Sequence, residues 1–320
     1  MQEKCMKPVS VIGAASGWGA QIRETSQGPE WLIEQGIVDA LQDAGADAEL
    51  TAMVYANKGE AAIAPADALP LVTEHARRLA QAVSGALNKG ALPLVLGGDH
   101  AIATGTWSGV TTTLKAEGNF GLIWVDAHMD AHVPETSPSG AYHGMPVASL
   151  LGHGADAMRY ILSEKAKISP QHMAMIGMRS YEKGEEKLLN ELGVRVFYMD
   201  DVRKRGFAAV WADALDIVTT GTVGFGLSID LDAFDPQEAP GVGSPAAGGL
   251  SFKEVAPCLK GLAVDNRLKA IEITEFNPTL DKGGKTATLA MELLLSFFQQ
   301  TGRIGHDQPH HPKGKHLLCA

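Results

Sequence analysis

The chain has 320 residues, of which 45% are hydrophobic and 20% charged, the balance of a folded protein with a large buried core. A net charge of -10, with no basic run interleaved with aromatics, excludes general attraction to phosphate backbones and anionic membrane surfaces, so neither nucleic acid nor membrane is an expected partner. Cys5, Cys258 and Cys319 are odd in number and far apart, which makes neither a disulfide framework nor a thiol metal site; with no apolar leader over residues 1–11, the cytoplasm is the expected compartment.

Taken in chain order, residues 9–13 predict a first buried strand, and residues 28–41 and 68–87 carry helical patterns, the second with Val72, Leu79, Val83 and Leu87 on one stripe. Residues 92–96 and 121–125 are short apolar strands that stop at polar residues. Further strands are expected at 173–176, 194–198, 223–229 and 270–274, with helices at 185–191, 208–218, 252–263 and 286–298. Buried strands alternating with helices predict a doubly wound parallel sheet covered on both faces. Neither an internal repeat nor a Pro/Ser-rich linker divides the chain. The expectation is one domain over residues 1–304 and a loosely ordered tail over 305–320, whose His306, His310 and His311 lack the strand scaffold and carboxylates of a metal tract.

Four strands end in groups that bind metals or cations: Gly97-Gly98-Asp99-His100, Asp126-Ala127-His128-Met129-Asp130, Asp230-Leu231-Asp232 and Glu275. In an open α/β sheet the ligand crevice lies beyond the carboxyl ends of the strands, so these side chains are expected to converge. The spacing of two within Asp126, His128 and Asp130, and again within Asp230 and Asp232, turns alternate side chains of an extended segment to the same side. The double glycine before His100 is expected to let the backbone turn sharply there. A single Asp-x-His is usually a loop or a cap, but burying four carboxylates together costs many kcal/mol unless cations compensate them. Four Asp and two His form a mostly hard-oxygen set suited to Mn²⁺, with other divalent ions left open, and two such cations cancel four carboxylates.

Those motifs, together with Ser228-Ile229-Asp230-Leu231-Asp232-Ala233-Phe234-Asp235-Pro236 and Glu275-Phe276-Asn277-Pro278, resemble the successive hallmarks of the arginase (ureohydrolase) superfamily, in the family's order and across residues 97–278. The resemblance implies a three-layer αβα sandwich with a mainly parallel sheet of about eight strands and two Mn²⁺ ions. One ion would take His100, Asp126, Asp130 and Asp230; the other would take Asp126, His128, Asp230 and Asp232. It also implies hydrolysis of L-arginine to L-ornithine and urea by a metal-bridging hydroxide, and a homo-oligomer of three or six copies.

Glu275 suits pairing with a planar guanidinium through two hydrogen bonds, and resembles the family's guanidinium-binding position. His143, in Ser139-Gly140-Ala141-Tyr142-His143-Gly144, resembles the proton-shuttle histidine that protonates the departing amine. Ser137 and Ser139 stand in a loop similar to the one that holds an amino-acid carboxylate in arginases, and Glu182 stands where the family holds the α-amino group with Asp. His132 and Ala141 replace asparagines common in arginases, and His132 is a candidate substrate contact. These replacements keep open another guanidino substrate, such as agmatine or a guanidino acid; a metal-binding protein of this fold without turnover is the reading from a different class.

Overall fold

Mostly apolar runs buried on both faces become the inner strands, and two partly exposed segments become the edges, of the set β1 (Val9–Ala15), β2 (Ala48–Tyr55), β3 (Leu92–Gly97), β4 (Gly121–Val125), β5 (Met173–Met178), β6 (Arg195–Tyr198), β7 (Phe225–Asp230) and β8 (Leu268–Thr274) in the computed structural model, which describes residues 6–57 and 63–299, with β2 and β6 the edge strands. They form one sheet in the order β2-β1-β3-β8-β7-β4-β5-β6, with every pairing parallel. Alternate residues of each strand feed opposite cores. Val11, Leu94, Ile123 and Leu227 pack with Leu32, Val210, Leu259 and Leu293 on one face, while Ile12, Val95 and Leu122 pack with Leu79, Val83, Trp107 and Leu189 on the other. Helices Gly28–Glu34, Ile37–Asp43, Phe207–Thr219, Phe252–Leu259 and Lys285–Ser296 therefore cover the first face, and Leu69–Asn88, Ala103–Leu114 and Lys183–Leu192 the second. The result is the expected three-layer αβα sandwich, its sheet parallel throughout.

Strand β2 and the Ala103–Leu114 helix were not among the predicted elements. The helical pattern over 28–41 is two helices, broken at Gly36, whose φ of 83° no helix continues through. The helix expected over 252–263 stops at Leu259, before Gly261 in the left-handed region. Cys5, Cys319 and the histidines of the expected tail lie outside the described residues. Among the described residues, no helix is long and apolar enough to cross a membrane.

Candidate metal centre and cleft

The strands that end in chemistry, β3, β8, β7 and β4, are neighbours in the middle of the sheet, so motifs far apart in sequence sit side by side at one edge. His100 opens a short 3-10 turn after β3, Glu275 follows β8, Asp230 closes β7 and Asp126 follows β4. Convergence comes from the turns at those ends more than from extended alternation: Asp130 has a φ of 48°, and Asp232 sits in the 3-10 turn Leu231–Ala233. The Gly97-Gly98 pair also has a reason other than the one expected. Neither has a left-handed φ; instead a Cβ on Gly98 would lie 1.9 Å from the Ser16 carbonyl oxygen, so glycine allows the close approach of two backbones.

His100 is fully buried, and its Nδ1 has no hydrogen-bond partner. That atom lies 3.2 Å from Asp126 Oδ2, 3.2 Å from Asp130 Oδ2 and 3.0 Å from Asp230 Oδ2. Two ligands at right angles on an octahedral ion, each about 2.1 Å from it, stand about 3.0 Å apart. The bare ring nitrogen and its three oxygens thus have the spacing of one coordination shell. Beside them, His128 Nδ1 lies 3.0 Å from Asp232 Oδ2 and 3.5 Å from Asp126 Oδ1. His100, Asp126 and Asp230 form one group able to hold a metal ion, and Asp126, His128 and Asp232 form another, with Asp126 common to both.

Electrostatics gives the same answer. Burial, reinforced by the Asp126 charge, pushes Asp130 up to about 7, and burial with the charges of Asp232 and Asp126 pushes Asp230 well above the carboxylate range. Burial would lower both imidazoliums, yet the surrounding carboxylates hold His100 and His128 above the usual histidine value. Without cations, then, the cluster retains protons to balance its own negative charge. A divalent ion does the same work and releases them, so the donor set fits a metal.

Above the cluster opens a cleft of about 240 Å³, lined among others by His128, Asp130, His132, Ser137, Ser139, His143, Glu182, Asp230, Asp232 and Glu275; His100 and Asp126 lie buried beneath it. Every site residue singled out from the sequence is therefore in or under one cavity. Glu275 Oε1 accepts the His100 N–H at 2.9 Å and lies 3.0 Å from His143 Nδ1, whereas Oε2 is buried without a partner. Burial would lower the His143 pKa, but the hydrogen bond and charge of Glu275 overcome it and raise it to about 9. Ser137 Oγ and Ser139 Oγ accept the N–H groups of Gly140 and Ala141, which leaves each hydroxyl hydrogen for the cleft.

At the outer end His132 is committed on both sides: Nε2 lies 2.9 Å from Glu182 Oε2 and Nδ1 3.1 Å from Thr136 Oγ1. Glu185, absent from the sequence-based set, lines the same end; its oxygens accept the N–H groups of Ala131 and Glu182, the second closing a capping box at the start of the Lys183–Leu192 helix. Burial raises the Glu185 pKa to about 8. His132, Glu182 and Glu185 also cluster tightly enough to hold a metal ion, but Glu182 is exposed, and His132 is engaged through both ring nitrogens with Glu182 and Thr136. Arg179 was missed as well: it donates to the carbonyls of Asp232, Ala233, Phe234 and Ala246, tying the Asp232 turn to the loop opposite. Its only sequence signal was a charged residue directly after a buried strand.

Comparison with known proteins agrees with this geometry. The family model described as the Arginase family matches residues 7–299. The arginase of Bacillus caldovelox is 38% identical over 297 residues, covering 92% of this chain and 98% of that protein. Among solved structures, the arginase of Bacillus subtilis superposes with a TM-score of 0.84 at 35% identity, covering 92% of this chain and 99% of that one. Entamoeba histolytica arginase, solved in complex with L-ornithine, gives 0.83 at 26% identity over 92% and 99%. Matched over nearly its whole described length, the chain belongs to the arginase family.

Proposed function

We propose that the protein is a binuclear manganese ureohydrolase that cleaves the guanidino group of L-arginine to L-ornithine and urea. The observation that carries this reading is the unpartnered Nδ1 of His100 facing three carboxylate oxygens beneath a cleft that ends in Glu275 and His143. His100, Asp126, Asp130 and Asp230 would hold one ion and Asp126, His128, Asp230 and Asp232 the other, with Mn²⁺ preferred for the hard-oxygen and imidazole set. When bound, the ions lower the pKa of a water enough to supply hydroxide at neutral pH.

The remaining chemistry belongs to the chain. Glu275 Oε2, free of other donors, takes the guanidinium N–H groups and orients the electrophilic carbon over the cluster. His143, held protonated at neutral pH by Glu275, donates a proton to the departing amine. Ser137 and Ser139 offer hydroxyl donors to a substrate carboxylate, and Glu182 an acceptor to an ammonium. The proposal extends to a single catalytic domain over residues 1–304, a cytoplasmic enzyme and a homo-oligomer of three or six copies, the last resting on family resemblance.

One observation favours a second reading. His132 spends both ring nitrogens on Glu182 and Thr136, so it offers no donor to a substrate carboxylate, which suits a guanidino substrate without one, such as agmatine. A panel of L-arginine, agmatine and 4-guanidinobutyrate, assayed with Mn²⁺-loaded protein for urea, separates them. Arginine should be turned over fastest; a higher kcat/KM for agmatine would replace the first reading by the second. Metal-loaded, folded protein that releases no urea from any of the three would remove both.

A further inference from the structure

Beneath the metal ligands lies a second row of polar side chains whose role nothing above explains. Trp124, Ser228 and Glu272 are register partners across β4, β7 and β8 and so share a face of the sheet, each two residues before the strand-end positions Asp126, Asp230 and Thr274. His100 rests on this row. Its ring stacks on Trp124 with centroids 4.0 Å apart, and its Nε2 lies 2.9 Å from Ser228 Oγ. Ser228 Oγ in turn donates to Glu272 Oε1 at 2.7 Å, and Trp107 Nε1 donates to the same oxygen at 3.1 Å. Glu272 is fully buried.

Donor and acceptor inventories fix the direction of this chain. An indole N–H only donates, so Glu272 Oε1 must be an acceptor there, and the same oxygen takes the single Ser228 hydrogen. Ser228 Oγ then has only lone pairs left for His100, so Nε2 carries the imidazole proton. In the neutral imidazole, the form that can ligate a metal, Nδ1 is consequently the atom with the lone pair, and it is the atom that faces the three carboxylate oxygens. We propose that Glu272 is a positioning residue that acts through Ser228 to hold His100 in the tautomer able to ligate a metal. This rests on the metal-binding reading of the cluster and adds a cause for it: the ligand is aimed by a carboxylate two hydrogen bonds away.

The test is Mn²⁺ affinity, measured by chelator competition on the full chain, with no turnover required. Glu272→Met removes the acceptor at similar volume, frees the Ser228 hydrogen to point at His100 Nε2, and should weaken Mn²⁺ binding by about 10- to 100-fold. Glu272→Gln keeps a carbonyl oxygen for Trp107 and Ser228 and should stay within about threefold of the parent. Ser228→Ala should lose affinity like Glu272→Met, and adding Glu272→Met to it should cost nothing more. Full additivity in the double variant, or parental affinity in Glu272→Met, overturns the proposal, because Glu272 would then act by packing alone. Should Glu272→Met not fold, Ser228→Ala decides, parental affinity there being fatal to the relay. Failure of the parent protein itself to bind Mn²⁺ would instead remove the metal-binding reading.

Discussion

Replacing Glu275 by Gln tests the cleft with the least change of shape. Glu275 Oε1 accepts the His100 N–H and faces His143 Nδ1, while Oε2 has no partner. An amide keeps its oxygen on the His100 N–H and so places its NH₂ where Oε2 stood, a donor facing the donors of a guanidinium. Two charge-assisted hydrogen bonds of about 1.5–3 kcal/mol each are lost, and taking the middle of that range gives about 4.5 kcal/mol, or about two-thousandfold in kcat/KM. The assay is urea release under subsaturating arginine, with metal content determined on the same preparation. Metal content should remain as in the parent, because Glu275 is in neither of the two groups able to hold a metal ion beneath the cleft. Activity within about tenfold of the parent would refute the substrate pose, and manganese lost in step with rate would make Glu275 a metal ligand instead.

Asp126→Ala strikes both metal groups at once, since one carboxylate meets His100 through Oδ2 and His128 through Oδ1. Manganese per chain and urea release should fall together, the rate by more than about a hundredfold, as metal analysis beside the activity assay will show. His75 is buried with Nε2 2.9 Å from the Val54 carbonyl, and burial lowers its pKa from 6.5 to about 4. The unfolded chain therefore binds the extra proton between those values, so stability is full above pH 6.5 and falls as pH drops toward 4, by about 3 kcal/mol in all. Difference curves from urea denaturation should lose that slope in His75→Gln. Gly226→Ala would put a Cβ 2.0 Å from the Trp107 ring and should cost about 1–3 kcal/mol, with a lower Tm and altered tryptophan fluorescence.

How much of this was legible beforehand depended on where the information resides. The candidate metal ligands were readable because they stand at the carboxyl ends of buried, mostly apolar strands, and a buried strand that stops at Asp-x-His or Asp-x-Asp has few bland explanations. Strand β2 was not readable: Ala48–Tyr55 is an edge strand with several exposed residues, so its sequence lacks the continuous apolar run of its neighbours. Nor was the helix Ala103–Leu114, whose threonines and glycines are poor helix formers. Its reason is tertiary. A Cβ on Gly105 or Gly109 would lie 2.6 Å from the carbonyl oxygens of Ala76 and Ala80, so the small residues let this helix press against Leu69–Asn88. The supporting row of Trp124, Ser228 and Glu272 has a period-two relation to Asp126, Asp230 and Thr274, but sheet order is needed to know that its members are neighbours.

Backbone strain at the site was likewise invisible to residue patterns, and it yields a test of its own. Asp130, Leu162 and Glu275 are the non-glycine residues with left-handed φ among those described, and two of them line the cleft. At Glu275 the φ is 66°, a conformation costing of order 1–2 kcal/mol for any residue with a Cβ. Its N–H donates to the Gly98 carbonyl at 2.8 Å, so the chain is pinned to β3 at the point where the side chain must turn back over the sheet edge. Strain here follows from aiming a carboxylate into the cleft, and a residue without Cβ escapes it. Glu275→Ala and Glu275→Gly both delete the carboxylate, so both should be almost inactive. In the unfolded state glycine is the more disordered, which favours Ala by about 0.5–1 kcal/mol, yet release of the left-handed penalty outweighs this and should leave the Gly variant ahead by a few tenths to about 1 kcal/mol. Equilibrium denaturation of the two metal-loaded variants decides the matter: an Ala variant at least as stable as the Gly variant would mean that Glu275 is not held under strain.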